Sequence, residues 1–319
     1  MAERTASGRA AAIRRRVWIA PAIAAALALA AVALPQVVTR DDLLTLLFRI
    51  CLFVALAQSW NILAGLVGQT NLGHAAFFGI GALVARTLWL GGWPFPLALL
   101  AAGLAAMGFA MIIGVPTFRL HGAFFAIGTL GIAEVLRITV SQGLSLLTSL
   151  TPEQIVAYTM AGRYEVALGV ALATMAAAWL LRRSPLGLGL LAVREDEDAA
   201  RATGVNVLAH KLLALALSTF FAGLAGAAFA YQQVSYYPAA AFSPEWTFDA
   251  LLIAYVGGLG TIAGPLVGAL FFILVQDQLA LRMEQGHQII FGVLFIAVVL
   301  VFPGGLVEGW HRLRRRSRA

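Results

Sequence analysis

The stretch Leu43-Leu-Thr-Leu-Leu-Phe-Arg49-Ile-Cys51-Leu-Phe-Val-Ala-Leu-Ala-Gln-Ser-Trp60-Asn61-Ile-Leu-Ala-Gly65 decides the fold class. A helix needs about 20 apolar residues to cross a hydrocarbon core of roughly 30 Å. This run exceeds that length, and Arg49 is its one charge. Similar runs recur along the chain. We read spans at 17–36, 43–65, 71–90, 95–116, 120–142, 164–181, 209–231, 246–258, 262–281 and 287–303. Of the 319 residues, 61% are hydrophobic and 12% charged, against about 25% charged in soluble domains, and the mean hydropathy is +0.87. The expectation is an all-α polytopic membrane protein with about ten transmembrane helices. Spans 246–258 and 262–281 are short or joined by glycine, the pattern of a broken or re-entrant pair. Such backbone is tolerated only where protein or a cavity covers it.

Basic residues predict orientation. Arg4, Arg9, Arg14, Arg15 and Arg16 lie in front, and Arg312, Arg314, Arg315, Arg316 and Arg318 lie behind. The positive-inside rule places both tails in the cytoplasm, which requires an even number of crossings. The reading is a basic tail at 1–16, one transmembrane domain at 17–306 and a second basic tail at 307–319. Within the domain, 182–208 forms a cytoplasmic loop and 143–163 an external one. The pI near 10.3 therefore reflects membrane topology and not nucleic-acid binding. Arg14–Arg16 before the first span and Ala31-Val32-Ala33 behind it also suit a signal peptide, although the apolar run is long for one. In the external loop, Thr151, Pro152 and Gln154 form a helix-start signal of capping-box type.

The charged segment Arg194-Glu195-Asp196-Glu197-Asp198-Ala199-Ala200-Arg201-Ala-Thr-Gly204-Val-Asn206 stands out between two apolar spans. It reads as one short helix with Gly204 as a left-handed stop. Leu190, Val193, Glu197, Ala200 and Gly204 share one face. Glu197 with Arg201, and Arg194 with Asp198, are spaced as ion pairs contributing about 0.2–0.5 kcal/mol each. The alternative is a solvated loop. As a helix, it is a candidate docking handle for a soluble partner.

Two regions are interrupted by glycine in a similar way. One holds Asn61, Gly65, Gly68, Gln69, Asn71, Gly73 and His74; the other holds Gly257, Gly258, Gly260, Gly264, Pro265 and Gly268. Paired interruptions point to broken helices around a substrate path. Gly260, Gly264 and Gly268, spaced four apart, equally suit close helix packing. Asn61, Gln69 and Asn71 are polar amides in apolar surroundings, and Glu134 with Arg137 shares a face well inside a span. These five are the candidate substrate path, with a packing-locking ion pair as the alternative for the last two. Arg49, Arg86 and Asp277 lie nearer span ends, where long side chains reach for water. His74 reads as a core histidine.

The usual catalytic constellations are missing. Lys211 is the one lysine, and no Gly-Lys-Ser/Thr phosphate loop is present. There is no Gly-x-Ser-x-Gly, His-Glu-x-x-His or Cys-x-x-Cys, and Cys51 is alone. No histidine pair has metal-ligand spacing. The reading is a non-enzyme without metal or cofactor. With a docking helix and no motor, it would take its energy from a partner.

With these residues assembled, the chain resembles the permease subunits of bacterial branched-chain amino-acid ABC importers, the LivM type more than LivH. The residues carrying the likeness begin with Ser59-Trp60-Asn61-Ile-Leu-Ala-Gly65 and Gly68-Gln69-Thr70-Asn71-Leu72-Gly73-His74-Ala75-Ala76-Phe77. They continue with Arg119-Leu-His-Gly122 through Thr129-Leu130-Gly131, Glu134 and Arg137. Further on come Ala192-Val-Arg194 through Asn206, Lys211-Leu212, Ala222-Gly223-Leu-Ala-Gly226 and Gly257 through Pro265. The resemblance runs from about 42 to 306. It implies a second, LivH-like permease, two cytoplasmic ATPases of LivG and LivF type, and a periplasmic amino-acid-binding protein. It assigns 186–206 to the ATPase contact. Where the family has a glycine-containing turn, this chain reads Leu144-Ser-Leu-Leu-Thr-Ser-Leu-Thr151. Related permeases carry urea or short amides. The rival reading is a self-sufficient ion-coupled transporter or channel.

Overall fold

The structure, a computed structural model, describes residues 31–35, 40–143, 148–156, 158–282, 287–301 and 304–309. The expected first span, 17–36, falls mostly outside them; its end, 31–35, is helical. Both basic tails also lie outside, apart from 307–309.

Helix α1 (Asp41–Val67) is the centre of the molecule. Asp41 and Asp42 occupy its first turn, where the helix dipole favours negative charge. It stops at Gly68, whose φ of 79° is left-handed and whose N–H donates to the Ala64 carbonyl. Then follow α2 (His74–Leu90), α3 (Phe95–Thr117) and α4 (Ala123–Gly143). A short stretch after α4 holds β1 (Thr148–Ser149) and α5 (Pro152–Val156). The chain continues through α6 (Met160–Arg183), α7 (Pro185–Glu195), α8 (Glu197–Ala202) and α9 (Val207–Gln232). It ends with β2 (Ser235–Tyr236), α10 (Pro238–Ala241), α11 (Glu245–Gly257), α12 (Gly264–Arg282) and α13 (His287–Val301).

Helices α1, α3, α4, α6 and α9 are long and apolar enough to cross a membrane, while α2 and α12 are shorter apolar helices. The most apolar window of α1 is 89% buried and that of α4 only 22%, so α1 is a core element and α4 a peripheral one. Helices α6, α9, α11 and α12 surround α1, and α9 also lies along α2 and α3. The α2–α9 contact depends on small residues. A Cβ at Gly81 would overlap the Gly223 backbone, and one at Gly226 would overlap the Phe78 carbonyl. In lipid, where no hydrophobic effect draws helices together, such approach supplies the packing energy. Aromatic rings fill the wider spaces: Phe78 stacks on Trp246 at 4.5 Å, and Phe53 lies 5.7 Å from both Trp246 and Phe272.

At one end of the bundle, β1 pairs antiparallel with β2, Thr148 opposite Tyr236. This short bridge is the departure from the all-helical expectation among the described residues. The expected capping box forms: Thr151 N–H donates to Gln154 Oε1 at 3.1 Å, and Gln154 N–H to Thr151 Oγ1 at 3.4 Å. The expectation that Arg86 reaches for water is overturned. Its guanidinium is buried and donates to the carbonyls of Ala230, Gln233 and Val234. The carbonyls of Ala230 and Gln233 are acceptors at the end of α9, and that of Val234 also accepts from Leu150 N–H; a forked cation reaches all three. Arg49 and Asp277 also find each other, at 2.6 Å, and so tie α1 to α12.

Candidate functional site

The charged segment lies at the opposite end of the bundle from the β1–β2 bridge. After α6, Ser184 turns the chain; its Oγ accepts from Gly187 N–H at 3.2 Å and opens α7. The sequence predicts one helix through 194–204, whereas the structure breaks it at Asp196, which is extended at φ −160°, ψ 116°. The reason is local chemistry. One Asp196 carboxylate oxygen accepts from the N–H groups of Asp198 at 2.8 Å and Ala199 at 3.0 Å, and thereby caps α8. The same N–H groups, Ala199 foremost, hold this exposed carboxyl below its ordinary value of 3.8. Gly204, at φ 89°, follows α8 as the left-handed stop, and Asn206 caps α9 by accepting from Ala209 N–H.

The break changes the expected ion pairs. Arg201 pairs with Asp198 at 2.8 Å, not with Glu197. Glu197 turns inward, binding Lys211 at 2.5 Å and accepting from Gln69 Nε2 at 3.2 Å. Arg194 leaves Asp198 and donates to the Gly65 carbonyl at 2.6 Å. That carbonyl belongs to the last turn of α1, where cations are favoured. Of the expected shared face, Leu190, Val193 and Ala200 are buried, whereas Gly204 is exposed. The outward side presents Glu195, Asp198, Ala199 and Arg201.

The two glycine regions meet directly. Asn61 accepts from Gly260 N–H at 2.7 Å and donates to the Thr261 carbonyl at 2.9 Å. Arg182 donates to the Gly260 carbonyl at 2.5 Å. The turn between α11 and α12 is thus clamped from α1 and from the end of α6. Gly258 and Gly260 have φ of 127° and 75°, which side chains rarely adopt. Gly260 lies in the turn and not in α12, and from there it packs against the backbone of Gly65. Gly264 and Gly268 do pack closely, against Gly258 and Ile253 of the α11 side, and Gly257 against Gly264. Pro265 sits at the start of α12, where its missing N–H costs no helical bond. Gly65 lies against Gly260, and Gly73 against the Thr129 backbone of α4.

The polar amides expected along a substrate path have other occupations. Asn61 and Gln69 hold the contacts above. Asn71 is buried; its Oδ1 accepts from Gly73 N–H and its carbonyl from Trp60 Nε1, both at 2.8 Å. His74 is buried with Nε2 2.8 Å from Ser59 Oγ, as expected of a core histidine. Glu134 and Arg137 pair with each other on α4, through contacts of 2.8 and 2.5 Å, about 38% exposed. An open cavity of about 430 Å³ lies at the charged end, lined by Phe118, His121, Arg201, Val205 and the Glu197–Lys211 pair. Sequence reading noted Lys211 and Arg182 but missed their partners, because those contacts join residues far apart along the chain.

The profile of a family described as "Branched-chain amino acid transport system / permease component" matches residues 43–299. The LivM high-affinity branched-chain amino acid permease of Escherichia coli K12 is 29% identical over 320 residues, covering 88% of this chain and 73% of that protein. A probable LivM permease of Methanocaldococcus jannaschii is 22% identical, covering 66% of this chain and 67% of its own length. The autoinducer 2 import permease LsrC of Escherichia coli K12 / DH10B is 25% identical, covering 86% and 83%.

Proposed function

The chain belongs to the family of branched-chain amino acid transport system permease components, and from that premise we propose that it imports branched-chain or other hydrophobic amino acids as the LivM-like half of an ABC importer. The family is one of multi-pass membrane transport components and not of catalysts. The proposed assembly adds a LivH-like permease, two cytoplasmic LivG/LivF-like ATPases and a periplasmic binding protein. Both termini and the 182–208 loop lie in the cytoplasm, with about ten crossings between 17 and 306 and the 143–163 segment outside.

One observation carries the reading: α7 and α8 are anchored from behind and left free in front. Arg194 ties them to the end of α1, and Glu197 to α9 and Gln69, while Glu195, Asp198 and Arg201 face outward. A force applied to that outer face by an ATPase would reach the last turn of α1. From there Asn61 leads to the glycine turn before α12. ATP binding in the partner would thus shift the membrane helices between outward- and inward-facing states.

The test is purification of the tagged protein in mild detergent, followed by assay of binding-protein-stimulated ATP hydrolysis. Co-purification of a phosphate-loop ATPase and a second permease is expected. Glu195→Lys with Asp198→Lys should leave folding intact and abolish stimulation. Glu197 is avoided, because its loss would also break the internal anchor. Recovery of the chain alone, with uptake driven by an ion gradient, would instead establish a self-sufficient transporter.

A further inference from the structure

The pair Glu134–Arg137 lies midway along α4, a helix long and apolar enough to cross a membrane. Glu134 is eleven residues beyond Ala123, the start of α4, or about 16 Å along the helix axis at 1.5 Å per residue. That is half the depth of a hydrocarbon core of roughly 30 Å. Its side chains are 39% and 38% exposed, on the least buried of the long apolar helices. A half-exposed ion pair at this depth is costly against lipid, and such groups face a bundle interior or a wet path.

Packing does not account for it. Both partners sit on α4, and among the described residues their hydrogen bonds run only to each other. They lock α4 to no neighbour, unlike Arg49–Asp277, which joins α1 to α12. The surroundings leave room for a ligand. Gly131, one turn before Glu134, would place a Cβ with nothing within 4 Å. Ile127 and Ile138, on the same face, are exposed apolar side chains.

We propose that this pair is the charge-matched site for the backbone of the transported amino acid, a proposal that rests on the amino-acid reading above. The pair opens on binding. Glu134 accepts from the substrate ammonium, Arg137 donates to its carboxylate, and the aliphatic side chain lies over Gly131 and Ile127. A zwitterion brings both charges, so neither side chain is left unpaired in the membrane. A neutral urea or amide brings none and cannot replace the ion pair. This supplies discrimination within the permease itself, against the neutral solutes carried by related proteins.

The test uses the complete importer in proteoliposomes, with its ATPases, second permease and binding protein, and labelled leucine as probe. Variants are Glu134→Gln, Arg137→Gln, the exchange E134R/R137E and Gly131→Leu, each checked for co-purification with its partners. Each single neutralisation should lower uptake at least tenfold. The exchange keeps an ion pair but reverses its polarity, and should not recover uptake. Gly131→Leu keeps both charges and fills the space beside them, and should lower uptake as well. Recovery by the exchange, or full activity of Gly131→Leu, would reduce the pair to a structural element while leaving the amino-acid reading standing. Uptake of urea or a short amide but not of leucine by the unaltered complex would overturn both.

Discussion

Arg86 is 1% exposed, lies near the end of α2, and donates to three carbonyls at the end of α9. Trp89 and Tyr236 flank its guanidinium at 5.6 and 5.9 Å. Replacing it with alanine leaves those buried acceptors without their charged donor, a loss of about 3 kcal/mol. Arg86→Ala is therefore expected to lower the thermal unfolding midpoint in detergent clearly. Arg86→Lys should recover only part of it, since an ammonium cannot fork toward three acceptors as a guanidinium does. An unchanged midpoint in Arg86→Ala would show that water satisfies the end of α9. The sequence alone pointed the other way for this residue. Position near a span end predicts a side chain that reaches for water, and nothing local reveals that another helix ends beside it. The same holds for Arg49 and Asp277, which are 228 residues apart in the chain and 2.6 Å apart in space.

Among the elements, α7 and α8 show which signals were local enough to read. The left-handed stop at Gly204, the Thr151–Gln154 capping box and the glycine-joined α11–α12 pair all follow from short-range backbone chemistry. The break at Asp196 is equally local, yet the run of charges read more simply as one helix with pairs three and four residues apart. The contacts of Arg194 with Gly65 and of Glu197 with Lys211 depend on tertiary placement. Periodicity carries no sign of them. The Asp196 cap has a pH consequence whose sign is fixed. Its folded pKa lies below the ordinary 3.8 because the ionised carboxylate accepts from the Ala199 and Asp198 N–H groups. The cap's contribution is therefore present above that ordinary value and is lost as pH falls through the lower, folded one. The protection of the α8 amides, taken relative to their intrinsic exchange rates, should fall on acidification in that window. In Asp196→Asn, whose amide oxygen still caps but does not titrate there, that protection should depend less on pH. Equal acid sensitivity in the two proteins would assign the effect to other carboxylates, Asp198 with its partner Arg201 among them.

Across the whole molecule, the described apolar helices fall where hydropathy places them, because membrane insertion is decided segment by segment. Their mutual arrangement was not legible, since it depends on which glycines and aromatic rings face each other. The two ends of the bundle nevertheless differ in charge, which leads to a topological prediction. The end with α7 and α8 carries Arg119, Arg182, Arg183, Arg194 and Arg201. At the other end, Arg86 is spent on carbonyls, and Arg163 is buried between Tyr158 and Tyr231, 3.5 and 4.6 Å from their rings. Arginines are thus more numerous at the α7–α8 end, which the positive-inside rule places in the cytoplasm. Between Glu153 in α5 and Asp198 in α8 the one long apolar helix among the described residues is α6, so these residues should lie on opposite sides of the membrane. In a Cys51→Ser background, Glu153→Cys should react with a membrane-impermeant maleimide from the periplasmic side. Asp198→Cys should react only after the inner membrane is permeabilised. The reverse pattern would invert the molecule and separate the proposed coupling segment from any cytoplasmic ATPase. Labelling of both from one side would mean that α6 does not cross.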